Sequence, residues 1–343
     1  MTIRRVILVG FCLCGGVCCA AFSRLDAEDV VRRALVAKGM RQGYDAETGI
    51  YMVIASATKS GVDPRSSTCC AQQSSCFRLA ELNAFHQILN MRGQSMAGKT
   101  AVQRSDAAKS VRSFVETLSQ ADLDGCLLVE FHGRQDGDNC VIAVAMCWSE
   151  ELERRARASA AGSLWPADSW IDELKRRLDG LGGDLLPPTL SFVDSAGFFH
   201  RAGVGIAPFD GASALRYNVA VREADLWARK NLQLALYGFA AMRKKAELMK
   251  SRDRLANIEN LSSLYEALGE VSADTQLPAG SRPIFDKVVQ IGGGRMKSFV
   301  VVYGVDSPKG VRAVSDSSSK EIGKTLEGGM IFNPNTGKFE KQE

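Results

Sequence analysis

Residues 80–91 read AELNAFHQILNM, and residues 224–235, 144 positions later, read ADLWARKNLQLA. Small or apolar residues recur in both stretches at spacings of four, four and three, namely Ala80, Ala84, Ile88 and Met91, then Ala224, Ala228, Leu232 and Ala235. This spacing places them on one stripe of an α-helix. Alanines one turn apart let a helix lie close to the sheet that it covers. We therefore predict two related helices, each packed on a sheet.

Each predicted helix stands between one strand and a pair of strands. The strands are predicted at residues 49–55, 126–132 and 140–148 in the first copy, and at 197–204, 284–291 and 298–305 in the second. The turns between paired strands are rich in Gly and Asp, which accept the positive φ of tight hairpins. The sequence therefore predicts an α+β fold with two tandem β-α-β-β units. Each unit is a three-stranded sheet with one packed helix, and helical linkers join the units.

These patterns divide the chain into six segments. They are a signal peptide at 1–21, an N-terminal helix at 22–43, a first repeat at 44–150, a helical linker at 151–188, a second repeat at 189–306, and a polar tail with a small hairpin at 307–343. We interpret the two repeats as a duplication in which each copy has the size of an ordinary domain. The alternative is a chance resemblance between two unrelated α+β stretches.

The N-terminus predicts export. Arg4 and Arg5 precede an apolar run at 6–19, and Ala20 and Ala21 follow it, which is the pattern of a cleavable signal peptide. The run is shorter than the roughly 20 residues that a membrane span needs. We expect a periplasmic, outer-envelope-associated or secreted protein whose mature chain has no membrane span. An uncleaved anchor or a lipoprotein is the alternative, because four cysteines lie in this segment.

Charge argues against nucleic acid as a partner. The chain has 43 Lys and Arg residues and 39 Asp and Glu residues, and the formal net charge of +4 falls to +2 without Arg4 and Arg5. Basic and acidic residues alternate throughout, so the sequence has no basic patch of the kind that binds phosphate backbones. The expected partner is an unknown envelope or secreted protein or a small ligand, and the oligomeric state is left open.

Six cysteines follow the predicted signal peptide, and export makes disulfide bonds between them possible. The apolar pattern of the first hairpin predicts a register with Leu127 opposite Met146, Val129 opposite Val144, and Phe131 opposite Ile142. That register places Cys126 opposite Cys147, and we predict a bridge between them. Cys69, Cys70 and Cys76 crowd one predicted loop and are candidates for a local bridge. The alternative is that the cysteines are small buried apolar residues.

One nucleotide-binding motif occurs in the chain. Residues 93–100 fit the pattern G-x-x-x-x-G-K-[ST], with Gly93, Gly98, Lys99 and Thr100 at the defining positions. In a phosphate-binding loop the backbone N–H groups cradle the phosphates, and a strand must precede the loop. Here the preceding residues have the stripe of a helix. The sequence therefore predicts a glycine-rich exit from a helix rather than a working site, and no cofactor.

The chain resembles the LPP-twenty type of envelope lipoprotein domain, whose fold is SHS2-like. The residues that carry the resemblance are the Ala80-x-x-x-Ala84 and Ala224-x-x-x-Ala228 helices together with the strands that end near Trp148 and cover 299–303. The resemblance spans about two thirds of the chain. It implies an envelope or secreted role and no catalytic residues. The lipidated cysteine of that family has no counterpart here.

Three classes of function follow from the sequence. The leading hypothesis is a noncatalytic envelope or secreted protein that uses duplicated domains for binding or assembly. The second is a nucleotide-binding protein that uses residues 93–100. The third is a secreted enzyme whose site comes from scattered residues. We predict no catalytic or metal-binding residues, because the chain lacks H-E-x-x-H zinc and G-x-S-x-G nucleophile motifs.

Overall fold

The computed structural model describes most of the chain between residues 22 and 341. The described residues are 22–63, 69–97, 114–116, 118, 123, 125–160, 169–180, 182–183, 185–194, 197–209, 214–251, 264, 268, 277, 281–291, 296–305, 330–333 and 338–341. The predicted signal peptide at 1–21 and most of the predicted polar tail lie outside them.

Five helices and eleven strands are assigned over the described residues. The helices are α1 (Arg24–Ala37), α2 (Cys69–Ala97), α3 (Glu150–Ala160), α4 (Ser169–Gly180) and α5 (Ala214–Ser251). The strands are β1 (Gly43–Asp45), β2 (Ile50–Lys59), β3 (Leu127–Asp136), β4 (Asn139–Trp148), β5 (Gly182–Gly183), β6 (Thr189–Val193), β7 (Phe199–Phe209), β8 (Ser281–Ile291), β9 (Met296–Val305), β10 (Met330–Asn333) and β11 (Lys338–Lys341).

The first sheet has the strand order β1-β2-β4-β3-β5 and is antiparallel except for the short parallel pairing of β5 with β3. Strand β4 lies at its centre, and its apolar run from Cys140 to Trp148 is buried on both faces. One face packs on α1, through Ala27, Val31 and Leu35. The other face packs on α2. This two-sided burial explains why every residue from Cys140 to Trp148 is apolar.

Helix α1 begins at a capping box. The Ser23 side chain accepts a hydrogen bond from the Asp26 N–H, and the Asp26 carboxylate accepts one from the Ser23 N–H. These bonds satisfy N–H groups that the first helical turn leaves without partners. The cap fixes where the helix starts, so the three buried side chains of α1 face the sheet.

The second sheet has the order β6-β7-β9-β8, with each neighbouring pair antiparallel. Helix α5 covers one face, and Ala224 and Ala228 are fully buried there against Phe299, Val301 and Tyr303. The contact is close because β7 has glycine opposite the helix. A Cβ added to Gly203 would lie 2.1 Å from the Leu232 nitrogen, and one added to Gly205 would lie 1.9 Å from the Ala224 oxygen.

The two sheets share one apolar core. The main buried cluster contains α2 residues such as Ala80 and Ala84, and side chains from both sheets, for example Val53 from the first and Val204 from the second. Polar contacts also cross between the copies. Ser74 Oγ of α2 donates to Asn231 Oδ1 of α5 at 3.3 Å. The two copies therefore pack through α2 rather than standing apart.

The structure is α+β with two antiparallel sheets, as predicted, and both alanine pairs are buried against their own sheets. The prediction of three strands per sheet is wrong, since the first sheet has five strands and the second has four. The additions are β1, β5 and β6. Strand β6 lies at the start of the predicted second repeat, where no strand was expected, and its five residues pair along β7.

The predicted register of the first hairpin is wrong. Its turn consists of Gly137 and Asp138, with Asp136 opposite Asn139 and Gly137 at φ 57°. Near the turn the observed pairing differs from the predicted one by two residues, with Phe131 opposite Val144, and a shift at 128–130 reduces the difference to one residue at the start of β3. As a result, Leu127 rather than Cys126 lies opposite Cys147. Apolar alternation could not reveal this, because β4 is apolar on both faces.

The described residues of the polar tail, 330–333 and 338–341, form the predicted small hairpin. Strand β10 pairs with β11 in an antiparallel register, with Phe332 opposite Phe339. None of the helices in the described part of the chain combines the length and apolar character needed to cross a bilayer.

Candidate functional site

A cleft of about 340 Å³ lies where β4, α2 and α3 meet. Six residues line it: Arg92, Trp148, Glu150, Glu153, Arg154 and Arg157. Strand β4 ends at Trp148, and α3 begins two residues later, so a strand end and a helix start form one side. Arg92, near the end of α2, forms the other side. The volume lies within the range of small-molecule sites, at its lower end.

Two local features hold α3 against the cleft. Ser149 caps the helix, because its Oγ accepts a hydrogen bond from the Leu152 N–H at 3.2 Å. Gly125 lies directly beneath the first turn, where an added Cβ would be 2.3 Å from the Glu153 nitrogen. Since four of the six lining residues belong to α3, this capped and closely packed helix start sets the shape of the cleft.

Arginine side chains dominate the charge of the cleft. The Arg92 guanidinium carbon lies 3.9 Å from the centroid of the Trp148 ring, which is a cation–π contact. Arg157 forms an ion pair with Glu153. Arg154 binds Glu151, outside the lining, through two hydrogen bonds of 2.8 and 2.7 Å. Hydrogen bonds from Arg154 and then from Arg155 lower the pKa of Glu151 to about 2. The ion pairs therefore hold these guanidiniums in place along one side of α3.

The Trp148 indole provides the most informative feature of the cleft. The residue is 2% exposed, and its Nε1–H is a buried donor with no acceptor among the described residues. Leaving such a donor unsatisfied costs about 1–3 kcal/mol. A ligand oxygen at this position would remove that cost. Guanidinium groups and an indole N–H together suit a carboxylate or a phosphate.

The predicted phosphate-loop motif does not have the structure that its chemistry requires. Helix α2 continues through Gly93 to Ala97, so a helix rather than a strand precedes the glycine-rich segment. Gly93 is exposed on this helix. Gly98, Lys99 and Thr100 lie outside the described residues. The expectation that a helix precedes the motif is confirmed, and Gly93 follows Arg92 directly at the edge of the cleft.

The cysteines lie differently from the prediction. All six between residues 69 and 147 are free, buried thiols. Cys126 belongs to the core on the α2 side of the first sheet and Cys147 to the core on the α1 side, so they do not face each other. Cys69, Cys70 and Cys76 lie in the first turns of α2 rather than in a loop. Cys76 instead approaches Cys140, donating to its carbonyl oxygen at 3.4 Å.

A buried polar pair, His200 and Asp194, lies at the second sheet. His200 Nε2 is 2.9 Å from Asp194 Oδ2, and its ring stacks between Trp170 and Phe192 at centroid distances of 4.9 and 5.2 Å. Burial lowers the pKa of His200, and the hydrogen bond and charge of Asp194 oppose that shift. Within the described ranges, no group of three His, Cys, Asp or Glu side chains is arranged to hold a metal ion.

Comparison with known proteins supports the fold. No family model and no curated protein matches the chain. A 2.3 Å crystal structure of hypothetical protein FTT1539c from Francisella tularensis is similar, with a TM-score of 0.52 and 15% identity. The match covers 82% of this chain and 90% of that chain. At this identity the similarity concerns the fold alone.

Sequence reasoning missed the residues that line the cleft. They come from two distant parts of the chain, Arg92 and the run 148–157, and Trp148 was read only as the end of a strand. The one available signal was the run at 150–157, where arginines follow glutamates by three or four positions. That spacing stabilises helices generally, so it does not indicate a binding site.

Proposed function

We propose that this chain is an exported, noncatalytic binding protein of the cell envelope or the secreted fraction, and that the Trp148 cleft binds the oxyanion of a small ligand. The observation that carries the ligand class is the lining of the cleft by three arginines and by Trp148, whose buried indole N–H has no acceptor in the part of the chain that the structure describes. A carboxylate or phosphate offers oxygen lone pairs that an indole N–H and guanidinium N–H groups can both bind. Export rests on the N-terminal charge and apolar run.

The proposal includes an internal duplication. The strand that precedes α2 stands first in the order β2-β4-β3, and the strand that precedes α5 has the same place in β7-β9-β8. Each long helix buries an alanine pair against its own sheet. These similarities support descent of both copies from one β-α-β-β unit of the LPP-twenty type, with β1, β5 and β6 as additions. Superposition of the two copies in an experimental structure tests this relationship.

Titration of the indole signal tests the ligand class. The ¹H–¹⁵N spectrum of the chain from residue 22 contains one indole signal for each of its four tryptophans, and Trp148→Phe identifies the relevant one. We expect acetate, benzoate or inorganic phosphate to shift that signal, whereas chloride at equal ionic strength leaves it in place. Trp227→Phe is the matched control, because it removes a tryptophan that does not line the cleft.

Two further variants separate the outcomes of this titration. Arg92→Gln removes the guanidinium over the Trp148 ring and is expected to weaken anion binding. Arg176→Gln removes an exposed arginine outside the cleft and is expected to leave it unchanged. If no anion moves the Trp148 signal at millimolar concentration, the oxyanion site is excluded. Equal shifts at every indole signal would indicate a nonspecific salt effect and would also contradict the proposal.

Fractionation tests the compartment independently. The full chain is expected in the periplasmic, envelope or extracellular fraction, shortened at its N-terminus, and the chain that lacks residues 1–21 is expected in the cytosol. N-terminal sequencing locates the cleavage, which the small residues Ala20 and Ala21 predict. Cytosolic location of the unprocessed full chain would refute export without affecting the anion titration.

A further inference from the structure

Cys76 and Cys140 bring two thiols together between α2 and the first sheet. Cys76 lies in the third turn of α2, Cys140 is the second residue of β4, and both are fully buried. The Cys76 thiol donates to the carbonyl oxygen of Cys140 at 3.4 Å and to that of Ala57 at 3.6 Å. Both side chains belong to the same buried cluster on the α2 side of the first sheet. The two thiols therefore lie close together.

Contacts on either side hold this pair in register. Lys59 lies opposite Cys140 in the β2–β4 ladder, and its Nζ donates to the Ser75 Oγ at 2.8 Å. Ser75 and Cys76 of α2 thus contact the neighbouring strands β2 and β4 at one level of the sheet. These independent contacts fix the position of α2 on the sheet at the level of the two thiols.

We propose that Cys76 and Cys140 form a disulfide that fastens α2 to the centre of the first sheet when the chain folds under oxidising conditions. The bond joins residues 64 positions apart. It restricts the unfolded chain over that length and so favours the folded state. None of the disulfide pairs expected from the sequence includes Cys140.

The reaction is a thiol–disulfide exchange with a small disulfide oxidant such as glutathione disulfide. One cysteine thiolate attacks the oxidant, forms a mixed disulfide and releases one glutathione thiolate. The second cysteine thiolate attacks the protein sulfur of that mixed disulfide and releases the second glutathione. The two protein thiols lose two electrons and two protons, and the oxidant is reduced to two thiols.

Burial sets the time at which the bond forms. The hydrogen bond with Cys76 and then burial raise the pKa of Cys140, which keeps its thiol protonated in the folded protein. A protonated, inaccessible thiol reacts slowly with a disulfide oxidant. The bond therefore forms during folding, while α2 docks on the sheet and the thiols are still accessible, and the folded protein then protects it from reductants.

Refolding in a redox buffer tests whether Cys76 and Cys140 form a disulfide, and the result does not depend on whether the protein is exported. The chain from residue 22 is reduced, denatured and refolded in mixed reduced and oxidised glutathione, then alkylated, digested and analysed by mass spectrometry. We expect a peptide that links Cys76 to Cys140 and an unfolding midpoint roughly 5–15 °C above that of the protein refolded in reductant. Free thiols at both positions would overturn the proposal, as would a bond from Cys76 to Cys69 or Cys70.

Two variants act as controls. Cys76→Ala is expected to abolish the linked peptide and the rise in the midpoint. Cys147→Ala removes an equally buried cysteine on the opposite face of the sheet and is expected to preserve both. Should the variants fold poorly, the peptide map of the wild-type chain decides the question alone. A linked peptide in refolded protein but not in cell-derived protein would support the pair and count against export.

Discussion

At the scale of single residues, glycine decides how closely α5 approaches the second sheet. Gly203 and Gly205 lie on β7 opposite the helix backbone, and Ala228 and Ala224 occupy the matching turns. A backbone-to-backbone contact of this kind has no side chain that can rotate away. The same residue type has no packing role at Gly93, where an added Cβ meets no atom within 4 Å.

Gly203→Ala is therefore expected to destabilise the protein by about 3 kcal/mol or more, because the new Cβ would lie 2.1 Å from the Leu232 nitrogen. Gly93→Ala is the matched control and is expected to stabilise it by up to about 1 kcal/mol, since alanine is the better helix former. Urea denaturation measures both changes. Equal effects of the two substitutions would show that α5 does not contact β7 as described.

His200 predicts a pH dependence. Burial lowers its pKa below the value of about 6.5 expected in the unfolded chain, despite the opposing effect of Asp194. Below pH 6.5 the unfolded chain therefore binds more protons than the folded one, so this contribution to stability is complete above pH 6.5 and is lost as the pH falls through the folded pKa. NMR titration of the imidazole, assigned with His200→Gln, is expected to give a pKa below 6.5. A value above 6.5 would reverse the predicted direction.

At the scale of secondary-structure elements, α2 explains why a sequence motif does not predict its usual structure. The pattern at 93–100 specifies residue types, but the element before it is a helix that runs from Cys69 to Ala97. The N–H groups of residues 93–97 belong to this helix, so they point along its axis and donate within it. They are therefore not arranged to converge on a phosphate.

Lys99→Ala is expected to change stability by no more than about 0.5 kcal/mol and to leave any affinity for ATP or GTP unaltered, because a strand-loop-helix cradle requires a strand before Gly93. Calorimetric titration of both proteins with nucleotide and Mg²⁺ measures the affinity. Micromolar binding by the wild type that disappears in the variant would favour the nucleotide-binding hypothesis instead.

Asn231 joins three elements through one buried amide. Its Nδ2 donates to the Val204 carbonyl oxygen of β7 at 2.7 Å, and its Oδ1 accepts from Ser74 of α2. Asn231→Ala leaves a buried carbonyl without its donor, so we expect a loss of about 1–3 kcal/mol. Ser74→Ala removes only the weaker contact and serves as the comparison. A loss for Ser74→Ala that equals or exceeds the loss for Asn231→Ala in denaturation experiments would contradict this description.

At the scale of the whole molecule, the two copies depend on a common core. Side chains of both sheets, of α2 and of the second half of α5 belong to one buried cluster, in which Phe85 and Phe239 meet edge to face at 5.6 Å. The face of the second sheet that carries Val204 and Val300 is covered within this cluster, whereas the first half of α5 covers the opposite face. Separation of the copies would expose that face.

We therefore expect the chain from residue 22 to unfold in one cooperative transition. Near-ultraviolet circular dichroism, intrinsic fluorescence and calorimetry are expected to give the same midpoint, with equal calorimetric and van't Hoff enthalpies. Two separate transitions, one for each sheet, would show that the copies fold as independent domains.

The sequence by itself determined the elements that depend on local spacing. The two alanine stripes predicted both long helices, and the α+β class followed from the strands around them. The alanine pairs are buried as expected, because a stripe of small residues allows the closest approach of a helix to a sheet. Strand pairs bounded by glycine and aspartate were also predictable, since those residues tolerate the backbone of tight turns.

Only the tertiary structure decided the register, the number of strands and the candidate site. A strand that is apolar on both faces, such as β4, fits several registers, so the pairing of Cys147 with Leu127 was not predictable. In the cleft, Arg92 lies beside residues that are 56 to 65 positions later in the chain. Cys76 and Cys140, which are also in contact, are 64 positions apart. Spacing along the chain carries no information about such contacts, because they exist only after α2 has packed on the sheet.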